Sequence, residues 1–124
     1  MGIKGVRVSA FLIWGFVAVM IFYLSSLSLY GAKGDAFINI KSIGYHMGVF
    51  FFFTIFLLIS VAGKNKKGLI LLVLLIGILY GISDEFHQSF VPGRAFTLLD
   101  IFVDSLGVLL AGVVYLTSER LKTH

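Results

Sequence analysis

Long uncharged apolar stretches, separated by short polar ones, set the pattern of this chain. About 25 residues without a charge lie between Arg7 and Lys33, and about 22 between Lys41 and Lys64, where His46 is the one potentially ionisable side chain. About 16 follow between Lys67 and Asp84, and a last run of about 14 lies between Asp104 and Glu119. A helix rises ~1.5 Å per residue, so ~20 apolar residues are needed to cross ~30 Å of hydrocarbon. The first two runs are long enough and the third is marginal. The pattern predicts an all-α membrane protein, a bundle of four transmembrane helices over about 8–30, 43–62, 68–88 and 97–117, in one domain spanning 1–124.

The fourth run carries the most information because it is too short. Fourteen residues reach only ~21 Å. To span, this helix must begin near Thr97, which carries Asp100 and Asp104 into the outer part of the membrane. Thr97 and Asp100 also have the Thr-x-x-acid spacing of an N-terminal cap. Carboxylates at membrane depth are costly and normally face a bundle interior.

Composition agrees with the membrane class: 59% of the 124 residues are hydrophobic and 13% charged, with mean hydropathy +1.04. A soluble domain is about one quarter charged. There is no cysteine, which removes disulfides and thiolate metal sites. The net charge of +4 does not point to nucleic acid, because the basic residues sit in short loops where they determine topology. Lys4 and Arg7, then Lys64, Lys66 and Lys67, then Arg120 and Lys122 fall on one side of an even number of crossings. The positive-inside rule makes that side, and both termini, cytoplasmic. The first apolar run, longer than a signal-peptide core, reads as a retained signal-anchor helix. The loops carrying Lys33, Lys41 and Arg94, and with them the polar segment Asp84–Asp104, should then face the cell exterior. Phe50–Phe53 reads as lipid-facing bulk, and Trp14, Tyr30 and Tyr80 as packing or interfacial anchors.

The polar groups gather at that outer face. Asp84, His87 and Gln88 share a helix face at i, i+3 and i+4, and Asp100, Asp104, Gly107 and Ala111 share another. Pro92-Gly93 marks a tight reversal between the two helices, with Arg94 leaving it. Ser25, Ser26 and Ser28 close helix one at the same depth; Lys41 and His46 open helix two there.

Ser83-Asp84-Glu85, His87-Gln88, Pro92-Gly93-Arg94, Asp100, Asp104 and Gly107, in this order and spacing, resemble the signature of VanZ-like membrane proteins. The Ser25-Ser26 pair and the Lys41…His46 pair are similar to that family too, so the resemblance covers most of the chain. It implies a multi-pass protein of the bacterial plasma membrane, in a family whose named member is associated with resistance to the glycopeptide antibiotic teicoplanin. It brings no defined reaction.

Four readings of the constellation stand side by side. Arg94 with Asp100 or Asp104 would make a structural ion pair closing the helix hairpin, since buried charges need partners. Gly107 and Gly112 read as close-packing positions. Asp84, Glu85, His87 and Asp104 have ligand types that suit a divalent cation, although their spacing is not diagnostic. Glu85 or His87, or alternatively His46, could act as acid or base, with Arg94 and Lys41 holding a phosphate of a lipid-linked cell-wall substrate. The leading expectation is a binding site made from Lys41, His46, Asp84, Glu85, His87, Gln88, Arg94, Asp100 and Asp104, within the lipid bilayer. Its ligand would be an anionic lipid headgroup, a lipid-linked precursor or a glycopeptide.

Overall fold

The computed structural model describes residues 2–27, 40–61 and 66–124. Ser28, Tyr30, Lys33 and Lys64 lie outside them. Four helices follow in order, α1 (Ile3–Ser25), α2 (Ile40–Val61), α3 (Lys67–Gln88) and α4 (Leu98–Leu121). All four are long and apolar enough to cross a bilayer. Each satisfies its own backbone by internal hydrogen bonds, the condition for an open segment in hydrocarbon.

Helices α1 and α4 run beyond the limits that charge gaps suggest. α1 already includes Lys4 and Arg7, and α4 continues through Glu119 and Arg120. A charge marks where hydrocarbon ends, whereas a helix continues into the headgroup layer as long as its residues favour it. With 24 residues, α4 is ~36 Å long and spans without strain.

α2 packs against all three other helices, while the backbones of α1 and α4 stay apart among the described residues. The closest approach is between α2 and α4. At Gly107 even a β-carbon would run into the carbonyl oxygen of Met47, so only glycine lets the two backbones meet at this level. Two apolar clusters fill the interior: Ile21, Phe50, Phe53 and Val108 near the middle, and Leu57, Leu58, Ile70, Val73 and Tyr115 further along. Phe50 and Phe53 are therefore core residues with no exposed surface, against the expectation of lipid-facing bulk; Phe52 is the ring that faces outward. Rings at 50 and 53 share a helix face, and here that face meets α1 and α3. Tyr80 stacks on Phe53 at 4.6 Å and donates its hydroxyl to the Ala18 carbonyl at 2.6 Å, tying α3 to α1.

Charge is divided along the bundle axis. The start of α1, the start of α3 and the end of α4 bring Lys4, Arg7, Lys66, Lys67, Arg120 and Lys122 to one end. The other end holds Asp84, Glu85, Asp100 and Asp104 with Lys41 and Arg94.

Candidate functional site, a recess lined by carboxylates

The recess, the buried polar interior where α2, α3 and α4 meet, is built around the reversal between α3 and α4. α3 stops at Gln88, and Arg94 N–H closes a turn onto the Val91 carbonyl at 3.1 Å. Gly93 has φ 83° behind Pro92, the pattern of a type II turn, which needs a residue able to take positive φ at its third position. The chain then extends to Thr97, whose hydroxyl accepts the Asp100 N–H at 3.2 Å and starts α4. That is the first half of a capping box. In the usual second half, the acid three residues on would take the cap residue's own N–H. Here Thr97 N–H goes instead to Glu85 Oε1 at 2.6 Å. Glu85, fully buried on α3, thus caps α4 from a neighbouring helix and stands at the positive end of its dipole.

Asp100 is left to turn toward α2, where its Oδ2 is 4.0 Å from His46 Nε2. One turn deeper, Asp104 Oδ1 is 2.9 Å from His46 Nδ1, and both side chains are almost completely buried. The carboxylate of Asp104 packs over Gly81 of α3, where a larger residue would press on it. Two carboxylate oxygens in this interior, Glu85 Oε2 and Asp104 Oδ2, have no hydrogen-bond partner among the described residues. Buried polar atoms are paired in the great majority of cases, and an unpaired one costs about 1–3 kcal/mol.

Arg94 departs from the expected ion pair with Asp100 or Asp104. Its guanidinium donates to main-chain carbonyls of α1's C-terminal turn, Nη2 to Leu24 at 2.8 Å and Nε to Leu27 at 3.1 Å. Its Nη1 donates to Gln88 Oε1 at 3.1 Å, and Gln88 Nε2 in turn donates to Asp84 Oδ2 at 2.9 Å. Arg94 therefore reaches an acid only through a neutral amide. The last carbonyls of a helix lack intrahelical partners, and a planar five-donor group satisfies several at once. The link pins α1 to the α3–α4 hairpin, a contact the sequence does not signal because main-chain acceptors leave no trace in residue type.

His87 leaves the recess. Its ring stacks on Phe22 at 4.5 Å and its Nε2 lies 2.9 Å from Ser26 Oγ, both on α1. Asp84, Glu85 and Gln88 form the buried polar face of α3 instead of the expected Asp84, His87 and Gln88. Lys41 stands exposed in the first turn of α2, five residues before His46. Among the described residues no three His, Asp or Glu side chains gather as metal ligands would, so Asp84, Glu85, His87 and Asp104 do not form such a group. The pair brought into direct contact is His46 with Asp104, not Glu85 with His87.

The sequence matches the VanZ/LLP1 family over residues 7–119, which takes in every residue of the recess. The chain belongs to the VanZ/LLP1 family. As a VanZ-family protein it is a membrane protein with four apolar helices. No curated protein and no solved structure matches it. Eight of the VanZ-like signature residues fall into two groups. Asp84, Glu85, Gln88, Asp100 and Asp104 join His46 in the recess, while Arg94 and His87 fasten the recess to α1. The contributions of Leu24, Leu27 and Phe22 are not legible in the sequence as site residues, because the first two act through main-chain carbonyls and the third through an apolar ring.

Proposed function

We propose that this protein is a binding module of the bacterial cell envelope whose recess accepts a hydrogen-bond-donating group, such as an ammonium, amide or hydroxyl, from a molecule at the outer membrane face. The observation that carries this reading is the pair of buried oxygens, Glu85 Oε2 on α3 and Asp104 Oδ2 on α4, with no partner among the described residues. A ligand donor reaching either would relieve the cost of leaving it unpaired. Four carboxylates face Lys41 and Arg94 at this end among the described residues, and the Arg94 donors are directed to neutral oxygens. Both facts weigh against a phosphate clamp and for a ligand rich in donors. A lipid or lipid-linked precursor bearing an amine fits, and so does an amine-bearing glycopeptide, in keeping with the resistance associated with VanZ-like proteins. The basic residues at the opposite end support an outward-facing recess and cytoplasmic termini.

The test is native mass spectrometry of the protein from nanodiscs of mixed envelope lipids with and without teicoplanin. Wild type should retain an amine-bearing adduct that Glu85→Gln and Asp104→Asn lose. If both variants are folded and keep every adduct, the recess is not the binding site.

A second reading rests on the His46–Asp104 contact. An imidazole held at Nδ1 by a carboxylate presents Nε2 as an oriented proton acceptor. This makes His46, rather than Glu85 or His87, the base of a membrane enzyme acting on a lipid-linked substrate. Turnover of such a substrate that His46→Gln abolishes would support it; no product from wild type would remove it.

A further inference from the structure

On the membrane-facing side of α1 and α2 lies an apolar groove of about 260 Å³, lined by Phe16, Met20, Leu24, Tyr45, Val49 and Phe52 among others. Its lining presents no polar surface. It is smaller than the ~300–1,000 Å³ of a drug-sized pocket, which suits a single hydrocarbon chain. The groove lies within the spanning segments, where hydrocarbon is the surrounding medium.

Two residues link this groove to the recess. Leu24 contributes its side chain to the groove and its carbonyl to Arg94 Nη2 at 2.8 Å. Tyr45 lines the groove, its ring contacts that of His46 at 5.5 Å, and it lies within electrostatic reach of Asp84, Arg94 and Asp104. Leu24 and Tyr45 therefore set the apolar groove beside a buried site where two carboxylate oxygens, Glu85 Oε2 and Asp104 Oδ2, have no partner among the described residues. Only an amphiphile uses both parts.

We infer that groove and recess form one lipid site, with an acyl chain lying between α1 and α2 and a primary-amine headgroup bound among the carboxylates. This rests on the donor-binding reading of the recess and adds the class of ligand. The acids favour an ammonium head over an anionic one, because a like charge brought to Asp84, Asp100 and Asp104 is repelled. The chain supplies affinity by burial, and the head supplies selection.

The test is photo-crosslinking of the full chain in phosphatidylcholine nanodiscs doped with either phosphatidylethanolamine or phosphatidylglycerol, each carrying the same diazirine acyl chain. Peptide mapping should find α1 and α2 groove residues labelled at least fivefold more by the ethanolamine lipid. Met20→Trp, at a partly buried position of the groove lining, should bring labelling down to the glycerol level. Phe16→Ala, at an exposed position, should raise it. Glu85→Gln should abolish the preference between headgroups while leaving the groove labelled. Equal labelling by the two lipids in wild type overturns the inference, as does labelling confined to α3 and α4 or crosslinking of the groove to a second copy. If Met20→Trp keeps the headgroup preference and Glu85→Gln loses it, the groove assignment fails while the donor-binding recess stands. If Glu85→Gln and Asp104→Asn both keep the preference, the recess reading itself fails.

Discussion

The two ends of this bundle carry charge in opposite ways. At the basic end, Lys122 and Glu119 are three residues apart on one helix, and Lys122 is 66% exposed. At the acidic end, His46 and Asp104 are 58 residues apart in sequence, on different helices, and nearly inaccessible. The first arrangement holds no elements together; the second joins α2 to α4, as Glu85 joins α3 to α4 and Arg94 joins α1 to the hairpin. Charges that direct insertion need only lie in water on the correct side. Charges that build a site need partners from other helices, because hydrocarbon provides none. This difference predicts that substitutions at the two ends will have effects of very different size.

The largest effect should come from the close approach that brings α2 against the acids of α4. Gly107→Val would drive its β-carbon into the Met47 main chain, one residue from His46, and a carbonyl oxygen cannot swing aside. A loss of at least about 3 kcal/mol is expected, at the upper end for overpacking. At Gly112 the nearest atoms are the flexible ends of Leu74, so Gly112→Ala should cost less than about 1 kcal/mol. Unfolding titrations in mixed micelles would separate the two; equal costs would mean the α2–α4 contact does not govern assembly of the acidic end.

Next in size is the Arg94 link. Arg94→Ala removes three hydrogen bonds and leaves the Leu24 and Leu27 carbonyls and the Gln88 amide oxygen without this donor, for a loss of about 2–3 kcal/mol. Arg94→Lys should recover less than half, since a single ammonium does not reproduce the planar fork. A full rescue by lysine would show that charge, rather than geometry, is what this end requires. Smaller again is the His46–Asp104 contact. A double-mutant cycle with His46→Ala and Asp104→Ala should give a coupling of about 1–2 kcal/mol, high for a hydrogen bond inside a membrane protein. Coupling below about 0.5 kcal/mol would place this pair in the same class as the surface pair at the basic end.

Much of this arrangement was legible in the sequence, and the remainder was hidden for identifiable reasons. Apolar run lengths located four helices because the bilayer imposes a length, and the shortness of the last run moved the start of α4 back to Thr97, ahead of Asp100 and Asp104. Position along the helix axis could be read because rise per residue is constant. Rotation about each helix axis is harder to read, since almost every position is apolar. Phe50 and Phe53 thus looked like lipid-facing bulk although they fill the core, and His87 was grouped with Asp84 although its ring points to α1. Residue type also misled on partners. Acids are the obvious complement of Arg94, yet its partners among the described residues are two main-chain carbonyls and an amide. Thr97 and Asp100 showed the spacing of a capping box, but the reciprocal half is supplied by Glu85, twelve residues away and on another helix.

The smallest effect should come from the Lys122–Glu119 pair, which makes it the control for the comparison. Its 2.7 Å contact is the shortest ion pair among the described residues, so distance alone would rank it first. Exposure reverses that ranking, because water and salt screen the attraction and two long side chains lose freedom to form it. The hydrogen bond to Glu119, then its charge, raises the Lys122 ammonium above its ordinary value of 10.5. A raised folded-state value means that any contribution is fully present below that ordinary value and is lost as pH rises through the higher one. The pair therefore adds no pH dependence in the neutral range. Glu119→Gln should shift the unfolding midpoint by less than any variant at the acidic end, and the residual shift should vanish at about 1 M NaCl, where the screening length is ~3 Å. A shift as large as that of Asp104→Ala, surviving high salt, would mean the basic end is held together by its charges too, and the contrast between the ends would collapse.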